Sequence, residues 1–190
     1  MQDGQRFVGW PVNLSSIKPE ESAMIIHCSR KLADKLAGVS ETPLTETSPL
    51  GSWHGHLFTM DRRQCGVFCH DASRYVLFIP ALRKVDFADL GKLFRPLYLA
   101  SLAAFGAAPN QIRKAELALG PLRFDTAIDR SVQGAIRIVQ TQDLEWLARE
   151  TPVIDLDPLA VSCRVSHRPT TIHGKSLWPD LVMLEAVAQL

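Results

Sequence analysis

A chain of 190 residues, 46% apolar and 22% charged, fits one domain whose core is large enough to need no staples. The formal net charge of +1 excludes a basic footprint for nucleic acid over the whole surface, leaving room only for a local patch. Four cysteines make no disulfide framework at this length, no apolar run is long enough to span a membrane, and the first residues hold no signal-peptide core, so a cytoplasmic chain with free thiols is expected.

Residues 1–23 have weak periodicity and are expected to be an N-terminal arm or extension, with an ordered first strand through Phe7, Val8 and Trp10 as the alternative. Residues 24–190 then form a single α+β domain. Met24-Ile-Ile-His-Cys28 reads as a short buried strand, followed by a helix through Leu32 and Leu36 that stops at Gly38. Residues 39–51 read as loop. Trp53 to Met60, Cys65 to His70 and Tyr75 to Ile79 are apolar-rich runs separated by Asp61-Arg-Arg-Gln64 and Asp71-Ala-Ser-Arg74. They predict a three-stranded antiparallel meander. Asp86 and Asp89 mark a helix start, and Pro96 should kink or divide that helix.

Ala115 to Leu119 alternates like a strand closed by Gly120-Pro121. Ile128, Val132, Ile136 and Val139 recur at helical spacing, with Asp125, Thr126 and Asp129 as candidate caps. Leu144 and Leu147 carry helix to about Glu150. A strand at Val161 to Val165 and a last helix from about Asp180 complete the pattern, with Trp178 and the final apolar segment reading as core or dimer surface. Strands and helices follow without a repeated βα unit, which favours an α+β meander sheet covered by helices.

Tight turns at both connections would set His56 opposite Cys69 and His54 opposite Asp71, with Val76 and Arg74 beside them on the third strand. His54, His56, Cys69, Asp71 and Arg74 would then share one end of one face. Phe58, Met60, Val67 and Phe78 would fill its other end, and Trp53, Leu57, Phe68, Leu77 and Ile79 the opposite face. Such groups can bind a transition metal or perform acid–base chemistry with His54, His56 and Asp71 as the catalytic set. The commoner use of a histidine beside an apolar strand is as a hydrogen-bonded core residue.

Arg74 should neutralise or orient Asp71. Arg62 and Arg63 in the first turn can fork onto a phosphate or carboxylate. Arg130 and Ser131 fall in a first helical turn, whose free amides favour anions. Cys65-x-x-x-Cys69-His70 is no zinc fragment, because four strand residues hold the thiols roughly 13 Å apart. No pattern implies a cofactor, and no metal ligand is assigned.

At Met24-Ile-Ile-His-Cys28, at Ser52-Trp-His-Gly-His continuing to Asp61-Arg-Arg-Gln-Cys65, and at Asp129-Arg-Ser-Val-Gln-Gly134, the chain resembles a bacterial family classed only as a domain of unknown function. The resemblance runs from Met24 to about Gly134. It implies that residues 1–23 extend the family's usual start and that the origin is the bacterial cytoplasm. It also points to Trp53, His54, Arg62, Arg63, Arg130 and Gly134, and carries no activity. The leading expectation is a non-enzymatic binding or regulatory module, homodimeric, that contacts a protein or nucleic-acid partner. The alternative is a small hydrolase such as a nuclease, using His54 or His56 with arginine charge stabilisation.

Overall fold

The computed structural model describes residues 22–172 and 174–190. The arm expected over residues 1–23, with its alternative strand at Phe7, Val8 and Trp10, lies outside the described residues except for Ser22 and Ala23. The apolar run at Met24–Cys28 forms β1, and a single turn, α1 (Arg30–Ala33), follows it in place of a longer helix. The meander is β2 (Trp53–Met60), β3 (Arg63–His70) and β4 (Val76–Leu82). Then come α2 (Gly91–Ala104), α3 (Pro109–Ala118), β5 (Leu122–Asp125) and α4 (Arg130–Ile138). A π-turn at Val139–Leu144 leads into α5 (Glu145–Glu150). The chain closes with α6 (Pro158–Ser166), a hairpin of β6 (Thr170–Ile172) and β7 (Lys175–Leu177), and α7 (Pro179–Ala188).

The main sheet has the order β4-β3-β2-β1-β5. The meander is antiparallel as expected, while β1 runs parallel to both of its neighbours, β2 and β5. Alternation along the strands separates two cores. Trp53, Leu57, Phe68, Leu77 and Ile79 pack with Leu32, Phe94, Tyr98 and Met183 on one face. Phe58, Met60, Val67 and Phe78 pack with Val132, Ile136, Leu147 and Val161 on the other. Helices thus cover both faces, and Trp53 is ringed edge-on by His70, Tyr75, Phe94 and Tyr98. Gly55 lets α1 settle on the sheet, since a Cβ there would stand 2.7 Å from Leu32 Cδ2.

Two local readings of strand are corrected. Residues 115–119 end or follow α3, because Pro109 opens that helix and Gln111 caps it, and the strand falls after Gly120. Residues 161–165 belong to α6, begun by Asp157 as N-cap and Pro158 in the first turn. The reason for a helix there is tertiary. β4 is an edge strand, and its outward amides of Val76 and Phe78 donate to Ser166 Oγ and Ser162 Oγ, both at 2.9 Å. Serines four apart on a helix rise about 6 Å, close to the roughly 6.6 Å between alternate strand residues, so one helix face covers the open edge. Pro96 does not divide α2, which runs unbroken from Gly91 to Ala104; the carbonyl it leaves free, that of exposed Lys92, lies in the first turn, within reach of water.

Candidate functional site

The pairing of β5, β1, β2, β3 and β4 aligns Asp125, His27, His54, Cys69 and Val76 in one rung across the sheet. Side chains paired across a rung share a face, so the two histidines and the aspartate meet beside the core under α4. Asp125 is fully buried. Its Oδ1 accepts from His27 Nδ1 at 2.5 Å and from the Ala127 amide at 3.0 Å, and its Oδ2 accepts from the Leu44 amide at 2.8 Å. Burial pulls this carboxyl upward, but the Leu44 amide, His27 and the Ala127 amide outweigh it and hold it below the ordinary carboxylate value.

His27 Nε2 faces Asp71 Oδ2 at 3.8 Å, and Asp71 Oδ1 lies 2.7 Å from His54 Nδ1. Ser52 Oγ donates to the other Asp71 oxygen at 2.9 Å. The Asp129 amide donates to His54 Nε2 at 3.0 Å. A backbone N–H only donates, so Nε2 carries a lone pair and the single ring proton sits on Nδ1, pointing at Asp71. His54 is therefore a neutral linker between the β3–β4 turn and the start of α4. Both of its nitrogens are occupied, which leaves no lone pair to take a substrate proton. His27 Nε2 is the one imidazole nitrogen in this chain of groups without a hydrogen-bond partner among the described residues.

His54 and Asp71 thus meet as the sequence predicts, by a different register. Asp61 and Arg62 both have positive φ, 48° and 59°, so the β2–β3 connection is a two-residue turn of the mirror-image type. Met60 pairs with Arg63, and His54 pairs with Cys69 instead of Asp71. His56 pairs with Val67 instead of Cys69. The shift is by two residues, so every side chain keeps its face. Asp71 reaches His54 from the turn beyond the strand.

Arg74 does not bind Asp71; its Nη2 donates to Ser131 Oγ at 2.9 Å. Arg62 and Arg63 are exposed at the far end of β2, about 20 Å along the strand from His54, and cannot serve it. Arg130 is exposed. The amides of Ser131 and Val132, expected to be free for an anion, donate to the N-cap carboxylate of Asp129 at 2.7 and 3.1 Å. Those two contacts, Val132 first, keep the Asp129 carboxyl low against partial desolvation.

His56 goes elsewhere. With Cys28, Ser29, Arg30, Gln133 and Arg137 it lines a crevice of about 790 Å³ at the carboxyl end of β1, between α1 and α4. Burial, then Lys31, lowers the His56 pKa and favours the neutral ring. Burial, then Asp125, pushes the Cys28 thiol up to about 12, so it is a thiol and not a thiolate nucleophile. Neighbours of β1 on its two sides come from separate stretches of chain, and the crevice opens where they part. Open sheets with parallel strands bind ligands at such a point.

The sequence reading missed His27, Asp125 in this role, and Arg137. A histidine at the end of a short buried strand was the available signal, but its partner lies 98 residues away. Among the described residues no group of three or more His, Cys, Asp or Glu side chains is placed to hold a metal ion, and no helix is long and apolar enough to cross a membrane. All four cysteines are free. Residues 25–181 match the model of a family described as Domain of unknown function (DUF6933). No curated protein and no solved structure matches the chain.

Proposed function

The chain belongs to the DUF6933 family, a description that assigns no activity, and from the geometry of its crevice we propose that it is a non-enzymatic binding module for a small polar molecule bearing a phosphate or carboxylate. The observation that carries this reading is the crevice itself. Its volume, about 790 Å³, is that of a small-molecule site, and two arginines, one carboxylate (Asp34) and several neutral hydrogen-bonding side chains face it, so the lining keeps a net positive charge. A nucleotide, free or at the end of a nucleic-acid chain, has the required size and charge. A non-catalytic role is supported by the state of the nearby groups. His54 is saturated and the Cys28 thiol is held protonated. The serine–histidine contact at Ser73 and His70 is buried, with His70 Nδ1 accepting the Ser73 amide at 3.1 Å. Free thiols support the cytoplasm as location, and exposed Trp178 and Leu181 support self-association through α7, which light scattering reads as a doubled mass.

The test is a thermal-shift panel of nucleoside phosphates and short carboxylates, followed by calorimetry of any compound that raises the midpoint. A ligand whose effect disappears in Arg137→Gln, with the unliganded midpoint unchanged, supports the reading. A panel that moves nothing, or a ligand indifferent to both Arg30→Gln and Arg137→Gln, overturns it.

A further inference from the structure

A second cleft, of about 280 Å³, opens between α4, α6 and the β6–β7 hairpin, with Arg74, Gln142, Arg168, Thr170 and Thr171 among the side chains that line it. Its two arginines differ in one respect. Arg168 is paired: Nη1 contacts Asp143 Oδ2, and Nη2 donates to Gln142 Oε1 at 2.6 Å. Arg74 is only 6% exposed, and its one side-chain hydrogen bond among the described residues goes to a neutral hydroxyl, Ser131 Oγ. No carboxylate of the described residues stands within 4.0 Å of it. The carboxylates of its own turn and of the start of α4 are committed elsewhere, Asp71 to Ser52 and His54, and Asp129 to the amides of Ser131 and Val132.

A guanidinium keeps its proton and carries five N–H donors in a planar fork. Burying one without a counter-ion is costly, and buried charges are ordinarily paired. Here the unused donors line an open cleft beside two threonines. We infer that this cleft is an oxyanion site, in which a phosphate group, free or as a small monoester, completes the coordination of Arg74. The fork of Arg74 would hold two phosphate oxygens and the hydroxyls of Thr170 and Thr171 the others. The volume leaves room for a short stem on the phosphate. This site is separate from the crevice at β1, and neither reading depends on the other.

The full chain would be titrated with inorganic phosphate at constant ionic strength while the arginine Nε–H resonances are followed by NMR. A saturable shift of the Arg74 signal, absent with chloride and at least tenfold weaker with acetate, is the expected result. Followed at the Thr170 and Thr171 amides, phosphate binding at this cleft should weaken at least tenfold in Arg74→Gln and several-fold in Thr171→Val, and not at all in Arg62→Gln, whose side chain is exposed at the far end of β2. Should Arg74→Gln fail to fold, the wild-type titration and Thr171→Val decide the matter. An Arg74 resonance unmoved by phosphate, a shift reproduced equally by acetate, or a response lost in Arg62→Gln would overturn the site.

Discussion

The polar rung at His27 and the crevice beginning one residue later at Cys28 draw on the same residue types and behave oppositely. In the rung, Asp125 accepts three hydrogen bonds from the protein, and both nitrogens of His54 are engaged. In the crevice, Arg30, Gln133 and Arg137 face open volume, with no side-chain hydrogen bond among the described residues. Saturated polar groups hold a fold in one arrangement, whereas unsaturated ones at a concave surface are available to a ligand. The histidine–carboxylate pair that looks most catalytic in sequence, His54 with Asp71, is on this criterion architectural. His56 lies on the other side of the divide.

The comparison breaks most visibly at Asp125. Asp125→Ala removes the acceptor of two half-buried amides and of His27, and should cost about 3 kcal/mol in denaturant unfolding. A loss below about 1 kcal/mol would mean that the rung is not structural. His54→Ala should come next, at about 2 kcal/mol, because it unties Asp71 from the Asp129 amide. If the midpoint instead stays in place while ligand binding vanishes, His54 belongs to the binding site.

Acid should produce a smaller, graded loss. Burial lowers the folded pKa of both His70 and His56, so the unfolded chain takes up protons first. Stability is complete above the unfolded histidine value of about 6.5 and declines as pH falls through the folded values. Asp125, also held low, adds a further decline as pH falls below about 3.9 toward its own folded value. Urea midpoints at a series of pH values read this slope, and His56→Gln should flatten part of it. A midpoint that rises as pH drops from 7 to 5 would contradict the assignment of neutral rings. The smallest effect is expected at Arg137. Arg137→Gln should change stability by no more than about 0.5 kcal/mol, since the side chain is exposed and makes no hydrogen bond among the described residues.

Local pattern determined a good deal of this molecule. Alternation in Trp53–Met60 and Arg63–His70 assigns each side chain to a face, and a register shift of two leaves that assignment intact because the period of a strand is two. That is why both cores and the meeting of His54 with Asp71 are legible in the sequence although the β2–β3 turn is two residues shorter than the polar segment Asp61–Gln64 suggests. Periods are properties of neighbours along the chain, and the remaining features are not. Parallel pairing joins His27 to Asp125 across 98 positions, and nothing in either short segment states the other's address. Residues 161–165 carry a pattern that suits strand or helix, and the open amides of β4 some 85 residues earlier decide for the helix. The rung, the crevice and the placement of Arg74 beyond ion-pair distance of any described carboxylate exist only once the sheet has assembled, because each is defined by which polar groups distant segments satisfy and which they leave free.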